Sequence, residues 1–316
     1  MRWVLLLLIV LASCSAPSIS PVEFHSVRPE VAPEPIPTAE PGTRTLSQSQ
    51  IEEIKKGLKS GGPPKDGIPA VDKPIWVDEG VVEDDERVFG ILDYGEPKAV
   101  PASILFWHEI VNDKDFSLTW CPLTGTGIGY KDMNLGVSGK LYNSNLVMYD
   151  RATQSEIPQI WGIGIDKTLK GKSLEKFRVY QTTWKKWKAK YPNTKILSRE
   201  TGHNRNYDRS PYPGYETAYQ LLFPVSHEDD RFHRKKIVHG IENNGEFMAI
   251  PLEEFKETKQ ATITLGGDQI SITYDEALDT ITAKKDNELI PSFDSYWFAW
   301  YAFHPNTKVY PGVLHK

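Results

Sequence analysis

Cysteine is scarce in this chain, which has only Cys14 and Cys121 among its 316 residues. Two cysteines exclude a disulfide-rich scaffold and a four-cysteine zinc site. A basic excess is also absent, because 37 Lys and Arg residues stand against 42 Asp and Glu residues. Broad nucleic-acid binding normally needs such an excess, so we expect no nucleic-acid partner. The sequence also has no Walker loop, no Gly-x-Ser-x-Gly motif and no His-Glu-x-x-His motif, which are the patterns of common nucleotide-binding and hydrolytic sites.

Aromatic residues are plentiful, with 9 Trp, 14 Tyr and 12 Phe. Each aromatic side chain buries a large area, so these residues can fill a sizeable core. The hydrophobic fraction of 39% and the charged fraction of 25% are ordinary for a globular protein. This composition excludes a wholly disordered chain, a coiled coil and a multispanning membrane protein.

The amino terminus carries a targeting pattern. Arg2 is followed by the apolar run Trp3–Leu11, which is too short to span a bilayer as a mature helix. The Leu-Ala-Ser-Cys string that ends at Cys14 resembles a bacterial lipoprotein signal. We therefore expect residues 1–13 to be removed and Cys14 to be lipidated, which gives an extracytoplasmic, membrane-anchored protein. Ser15 favours the outer membrane if the cell is Gram-negative. The alternative is an ordinary cleaved signal peptide.

Residues 14–62 are predicted to form a tether with one short helix. Seven prolines between residues 15 and 45 and few large apolar residues cannot build a core. Within Ser47–Leu58, the residues Ile51, Ile54 and Leu58 fall on one helical face. Residues 63–316 are then predicted to form a single globular domain.

The domain contains an internal pseudo-repeat, over about residues 86–198 and 236–310. Residues 88–105 match residues 238–255 at seven of eighteen positions, and residues 184–197 match 297–310 at seven of fourteen, including the string Pro-Asn-Thr-Lys. A weaker pair joins Tyr149-Asp150 to Tyr274-Asp275. This weaker pair places 25 of the extra residues of the first repeat between Leu105 and Tyr149. The longer first repeat is interpreted as the working one.

Hydrophobic alternation predicts many short strands with Gly, Asn and Asp at their turns. Only a few helices are expected, at about 102–111, 183–190, 252–258 and 294–303. This mixture indicates the α+β class with mainly antiparallel sheets. Residues 199–235 are polar, aromatic and irregular, and a long loop of this kind in a compact domain is usually functional or disordered.

Cys121 is the first candidate for chemistry. If Cys14 is lipidated, Cys121 is the remaining free thiol in an extracytoplasmic protein, where an unpaired thiol is a liability unless it is buried or used. A buried cysteine that acts as a small hydrophobe is the alternative. His108 and Glu109 lie in an apolar helical pattern and are expected to be desolvated. His108 is thus a candidate base for Cys121 and Glu109 an orienting group, or His108 is a core residue bonded to a carbonyl.

Further polar residues are candidates for ligand binding. Thr124 and Thr126 flank a glycine turn, Asn143 lies in a predicted hairpin turn, and Arg151 ends its return strand. Arg205 belongs to the long loop. The alternatives are turn chemistry and local salt bridges, since Asn is common in turns for local reasons.

A set of ordered motifs within about residues 66–310 resembles the bacterial family called domain of unknown function 3179. The motifs are Asp-Gly-Ile-Pro-Ala at 66–70, Trp-His-Glu-Ile-Val-Asn-Asp at 107–113, Cys-Pro-Leu-Thr-Gly-Thr at 121–126, Gly-Val-Ser-Gly at 136–139, Leu-Tyr-Asn-Ser-Asn at 141–145 and Met-Tyr-Asp-Arg at 148–151. The resemblance implies redox work, because some members carry Cys-Pro-Leu-Cys in the third motif. Thr124 replaces the second cysteine here, so Cys121 would need an external thiol or a metal.

Two functional hypotheses follow. The first is a thiol-dependent redox protein or enzyme with Cys121 as nucleophile and an unknown small molecule or external thiol as partner. The second is a non-catalytic metal- or ligand-binding lipoprotein in which Cys121 and His108 are soft ligands, for a metal such as copper. A scaffold in which both residues belong to the core is the third reading.

Overall fold

Short strands dominate the residues that the computed structural model describes, which are 45–311. The predicted signal peptide, Cys14 and nearly all of the Pro-rich segment lie outside the described residues. The helices are α1 (Gln48–Gly57), α2 (Ala102–His108), α3 (Trp184–Lys190), α4 (Leu252–Thr258) and α5 (Trp297–Phe303), with a 3-10 helix at Lys167–Leu169. None of the helices in this range has the length and apolar character needed to cross a bilayer.

The strands are, in chain order, β1 (Lys59–Ser60), β2 (Trp76–Val77), β3 (Arg87–Ile91), β4 (Lys98–Pro101), β5 (Ile110–Asn112), β6 (Phe116–Cys121), β7 (Thr126–Lys131), β8 (Leu135–Tyr142), β9 (Asn145–Asp150), β10 (Glu156–Pro158), β11 (Lys176–Phe177), β12 (Tyr180–Thr183), β13 (Lys195–Leu197), β14 (Ile237–Asn243), β15 (Glu246–Pro251), β16 (Gln260–Leu265), β17 (Asp268–Asp275), β18 (Thr280–Lys285), β19 (Glu288–Leu289), β20 (Ser292–Tyr296) and β21 (Lys308–Val309). Among these strands, the parallel pairs are β4–β13 and β15–β21, and the other pairs are antiparallel. The predicted α+β class with mainly antiparallel sheets and few short helices is confirmed.

The strands form five sheets, in which two pairs of sheets have matching orders. The sheet β12-β3-β4-β13-β2 matches β20-β14-β15-β21, and the sheet β11-β7-β6-β5 matches β19-β18-β17-β16. The ladder registers match as well, since Val88 lies opposite Pro101 and Val238 lies opposite Pro251. The fifth sheet, β1-β8-β9-β10, has no counterpart among the described strands.

A tryptophan covers a glycine in both matching sheets. A Cβ atom on Gly90 would lie 2.1 Å from the Trp187 ring, and a Cβ atom on Gly240 would lie 2.0 Å from the Trp300 ring. Both distances are far inside van der Waals contact, so only glycine leaves room for the indole. Each helix that carries the tryptophan, α3 or α5, is thereby seated directly on its sheet.

The repeated Pro-Asn-Thr-Lys string holds the same tryptophans. Trp187 Nε1 donates to Thr194 Oγ1 at 2.9 Å, and Trp300 Nε1 donates to Thr307 Oγ1 at 2.8 Å. A buried indole N–H normally needs such a partner. The equal spacing of Trp and Thr in the two segments therefore has a local structural cause.

The weaker match of Tyr149-Asp150 to Tyr274-Asp275 is wrong as a structural equivalence. Tyr149-Asp150 ends β9 in the unmatched sheet, whereas Tyr274-Asp275 ends β17. Residues 132–175 are inserted between β7 and β11, whereas only two turn residues lie between β18 and β19. This inserted segment carries Asn143 and Arg151, but neither Glu109 nor Cys121.

The folded region begins before the predicted boundary at residue 63. Ser47 caps α1 through a capping box, and Ile51 and Ile54 are each 2% exposed within the core cluster that also contains Cys121. Strand β1 pairs with β8. The short helix therefore packs on the domain and does not belong to a free tether.

Candidate functional site

Glu109 lies at the point where α2 turns into β5. Its backbone is left-handed, with φ of 56°, and its N–H donates to the Leu105 carbonyl at 2.8 Å, which ends the helix. Its own carbonyl accepts from Trp120 N–H at 2.7 Å. These bonds hold Glu109 beside the end of β6, where Cys121 is the last residue.

The Glu109 carboxyl is buried without a partner. The residue is 7% exposed, and its side chain makes no hydrogen bond or ion pair within residues 45–311. Burial raises the pKa of Glu109 to about 8, because desolvation disfavours the charged form. The carboxyl therefore carries a proton at neutral pH and is poised to exchange it near pH 8.

The Cys121 thiol is also buried, and it is close enough to this carboxyl for the charge of Glu109 to affect it. Cys121 is 1% exposed, and its Sγ lies 3.8 Å from the Ser144 carbonyl oxygen. Burial and, to a smaller extent, the charge of Glu109 raise the pKa of Cys121 to about 11. Hydrogen bonds with Thr124 and Leu146 oppose this rise. The group at neutral pH is a thiol, because the nucleophilic thiolate forms only at high pH.

His108 has other partners than the thiol. Its Nδ1 lies 2.7 Å from the Pro69 carbonyl oxygen, and its Nε2 lies 2.7 Å from the Tyr207 hydroxyl. Burial lowers the pKa of His108 to about 4, so the ring is neutral. Since a carbonyl only accepts, Nδ1 donates to Pro69 and Nε2 accepts from Tyr207. Neither His108 nor Glu109 makes a hydrogen bond to Cys121 among the described residues, but the charge of Glu109 raises the pKa of the thiol.

The alternative soft-metal site gains no support from the side-chain arrangement. Within the described part of the chain, no group of three or more His, Cys, Asp and Glu side chains is placed to hold a metal ion. Both ring nitrogens of His108 are engaged in hydrogen bonds, as described above.

Thr124 and Thr126 belong to a buried polar network. Their hydroxyls lie 2.9 Å apart, and Asn145 Nδ2 donates to both, at 2.9 and 3.2 Å. Thr126 also donates to Gln159 Oε1 at 2.6 Å. The four residues are fully buried. Their hydrogen bonds are satisfied internally, so they join β6, β7 and the inserted sheet.

Asn143 and Ser144 form the tight turn between β8 and β9. Their φ values are 50° and 62°, as a two-residue hairpin turn requires. Asn143 donates to the Ala302 carbonyl at 3.2 Å and accepts from Ser226 N–H at 2.8 Å. Ser144 donates to the Phe223 carbonyl at 2.6 Å. The turn thus anchors other parts of the chain, and the predicted ligand-binding role of Asn143 stays a prediction.

The two predicted arginines lie away from the thiol. Arg151 pairs with Asp72 at 3.2 Å and donates to the Leu135 carbonyl at 3.2 Å. Arg205 donates to the Asn204 carbonyl at 3.2 Å, and its charge helps to lower the pKa of His108. Neither arginine has a described contact with Cys121 or Glu109.

Residues 198–236, here named the covering segment, close the site. They contain no helix or strand. The Tyr215 hydroxyl donates to the Leu123 carbonyl at 3.0 Å, beside Cys121. Burial raises the pKa of Tyr212, and the nearby charges of Glu109 and Cys121 raise it further. The segment that looked irregular in sequence therefore supplies the aromatic wall of the Glu109–Cys121 site.

Sequence reasoning missed a buried charged cluster between the two matching halves. His239 Nδ1 lies 2.6 Å from Asp294 Oδ1, and both residues are at most 7% exposed. Arg178 donates to the carbonyls of Ser292 and Ile281, at 2.6 Å each. The signal available was a difference between the halves, because Phe89 stands in β3 where β14 has His239.

The comparisons with known proteins identify a family without an assigned activity. No curated protein and no solved structure matches the chain. The family model described as protein of unknown function (DUF3179) matches residues 65–288, which include Glu109, Cys121 and the covering segment. The resemblance seen in the motifs is confirmed, and this chain belongs to the DUF3179 family.

Proposed function

We propose that this protein is a thiol-dependent redox protein or enzyme whose working site is Cys121 with Glu109 as its proton-transfer partner. One observation carries the proposal: the Glu109 carboxyl is desolvated and has no hydrogen-bond partner among the described residues, and its charge acts on the buried Cys121 thiol. A carboxyl desolvated in this way is expensive to keep unless it is used. Its raised pKa, about 8, is suited to proton transfer near neutral pH.

The proposed step is exchange with an external disulfide. The Glu109 carboxylate takes the proton of Cys121, and Sγ attacks one sulfur of the external disulfide. The external S–S bond breaks, a mixed disulfide with Cys121 forms, and the leaving thiolate takes the proton from Glu109. An external thiol then releases Cys121 by the reverse type of exchange. Thr124 stands where a second cysteine could resolve the bond, so the partner must supply it.

The step requires movement of the covering segment, because Cys121 is 1% exposed. The segment is held by separate hydrogen bonds, by the Arg87–Glu216 ion pair and by apolar packing, and not by a strand ladder. Local opening of such a segment costs less than global unfolding.

The pH profile of mixed-disulfide formation with glutathione disulfide tests this role. In the wild type, the rate should rise through an inflection near pH 8, where Glu109 loses its proton. In Glu109→Gln this inflection should vanish, and the rate should rise only toward the thiol pKa. Glu79→Gln, which changes an exposed carboxyl, is the matched control. Reaction of Cys121 only under unfolding conditions would sink the proposal.

A non-catalytic ligand-binding role is the second candidate. It is favoured by the high pKa of Cys121, about 11, which leaves the thiol neutral in the closed protein. On this reading, the thiol and the protonated carboxyl are donors to a small ligand. Ligand-dependent protection of Cys121 without mixed-disulfide formation would distinguish the two roles.

We further propose that the domain arose by duplication and that only the first half keeps the site. Matching registers make Cys121, opposite Thr126, equivalent to Asp275, opposite Thr280. The left-handed Glu109 after α2 corresponds to Lys259, with φ of 60°, after α4. The second half therefore has neither the thiol nor the carboxyl.

Membrane attachment through Cys14 is part of the proposal and rests on the lipoprotein-like sequence. The protein would then act outside the cytoplasm, at the outer membrane in a Gram-negative cell. In a Gram-negative expression host, the wild type should partition into the detergent phase on Triton X-114 extraction, and Cys14→Ser into the aqueous phase. Equal partitioning of both would contradict lipidation.

A further inference from the structure

A cavity lies where the two matching halves meet. Its volume is 210 Å³, and its walls come from the ends of β12 and β20 and from the turn that follows Cys121. Gly125 of that turn donates its N–H to the Cys121 carbonyl at 2.9 Å and faces the Tyr296 ring. The cavity is thus separated from the thiol by one turn of chain.

Equivalent positions of the two halves line this cavity but carry different chemistry. From the matching registers and turns, the pairs are Arg87 and Ile237, Gly125 and Asp279, and Gln181 and Asp294. Both halves therefore contribute to the wall of the cavity. The first half contributes a cation and the carboxylate of Asp85, and the second half contributes two carboxylates and the apolar Ile237.

Arg87 already holds a carboxylate at the edge of this cavity. Its two terminal nitrogens contact Glu216 of the covering segment at 2.7 and 3.2 Å, which is a two-point carboxylate contact. The two side chains are 30% and 40% exposed, so the pair is half-buried and open to competition. Planar two-point recognition of carboxylate is the geometry for which a guanidinium is suited.

Other groups of the wall define the rest of a ligand. The buried Thr182 hydroxyl has no hydrogen-bond partner, and the Tyr296 hydroxyl lies close to Arg87 without a well-aligned hydrogen bond. Asp294 presents a carboxylate and would repel a second negative charge, but it accepts from a donor. Leu252 adds apolar surface. A ligand that fits has a carboxylate, an apolar body and a hydrogen-bond donor at its far end.

We propose that this cavity binds a small monocarboxylate through Arg87, and that Glu216 occupies the Arg87 site as an internal substitute in the closed protein. A ligand carboxylate that displaces Glu216 also detaches the covering segment from β3. The inference goes beyond the proposed thiol function and does not require Cys121 to be reactive.

Calorimetric titration of the domain with 4-hydroxybenzoate tests the site, with the uncharged 4-hydroxybenzamide as the control ligand. Glu216→Gln keeps the shape of the side chain and removes the competing charge, so it should bind 4-hydroxybenzoate at least tenfold more tightly than the wild type. Glu228→Gln is the matched control. It removes another ion pair of the same segment, in which Glu228 and Arg234 lie 2.7 Å apart. This variant should bind as the wild type does.

Adding Arg87→Gln to Glu216→Gln should abolish the gain. If that double variant does not fold, two comparisons still test the proposal. They are the affinity of Glu216→Gln against that of Glu228→Gln, and the binding of 4-hydroxybenzoate against that of 4-hydroxybenzamide. Equal affinity of Glu216→Gln and wild type, or equal binding of the acid and the amide, would overturn the proposal. Failure of the mixed-disulfide experiment would not affect the proposal that the cavity binds a monocarboxylate.

Discussion

At the scale of single residues, one backbone torsion creates the chemistry of the site. The left-handed φ of 56° at Glu109 ends α2 beside β6, and the charge of Glu109 acts on the Cys121 thiol. The sequence showed that Trp107-His108-Glu109 is apolar in context, but both His108 and Glu109 fit that pattern. Which of the two faces the thiol depends on where the helix ends, and a sequence pattern does not locate that turn to one residue.

The buried carboxyl of Glu109 predicts an unusual pH dependence of stability. The folded state keeps this proton up to about pH 8, whereas the unfolded chain releases it near the ordinary value of 4.5. The folded state therefore binds more protons between these values, and the free energy of unfolding falls as pH rises from about 5 to 8. The contribution is on the order of 4 kcal/mol, at about 1.4 kcal/mol per unit of pKa shift.

Urea unfolding from pH 5 to 9 measures this contribution. The Glu109→Gln variant should lack the downward slope, whatever its absolute stability, because the glutamine does not titrate. The Glu79→Gln control should keep the wild-type slope. Parallel curves for the wild type and Glu109→Gln would contradict the assignment of a raised pKa to Glu109.

At the scale of elements, the covering segment depends on a turn in the inserted sheet. Asn143 holds the segment through Ser226 and holds α5 through Ala302. Asn143→Gly keeps the left-handed turn but loses both hydrogen bonds, each worth about 1 kcal/mol. We expect the rate at which a thiol reagent labels Cys121 in the folded protein to rise on the order of tenfold or more.

The matched control for this prediction is Asn287→Gly. Asn287 is exposed, has φ of 68° and lies in the hairpin between β18 and β19, away from the covering segment. In Asn287→Gly, the thiol reagent should label Cys121 at the wild-type rate. If Asn143→Gly and Asn287→Gly label alike, the turn does not restrain access to the thiol.

The two Trp–Gly contacts predict matched effects in the two halves. Gly90→Ala and Gly240→Ala each place a Cβ about 2 Å from an indole ring, so each should lower the free energy of unfolding by about 1–3 kcal/mol, as overpacking does. Gly61→Ala, whose Cβ would meet its nearest atom at 3.3 Å, should change it little. Unequal losses at Gly90 and Gly240, measured by urea unfolding, would argue against equivalent packing.

Element positions followed the strength of the local signal. Helix α4 was predicted at its observed bounds. The helix predicted at 294–303 begins three residues too early, because residues 294–296 belong to β20, whose polar Ser and Asp residues do not alternate with apolar ones and which leads directly into α5. Such strands are recognisable only through their pairing, as β20 pairs with β14.

At the scale of the whole molecule, the fold class and the family could be inferred from the sequence, but the site could be inferred only in part. Cys121 and Glu109 were identified as candidate residues in two neighbouring motifs. Arg87, Glu216 and Tyr296 were not, because they are 80 to 209 residues apart and meet only through the junction of the halves and the covering segment. The internal hydrogen bonds of Thr124 and Asn143 could not be inferred, because polar residues near turns serve internal networks as well as ligands.

The central claim is that Glu109 holds a proton beside Cys121 at neutral pH. The most direct measurement is the infrared difference between the wild type and Glu109→Gln, in the carbonyl stretch of a protonated carboxylic acid, from pH 5 to 10. We predict a band from one protonated carboxyl that is present at pH 7 and is lost with a midpoint near pH 8. Loss of the band near pH 4.5, or its absence at pH 7, would contradict the account.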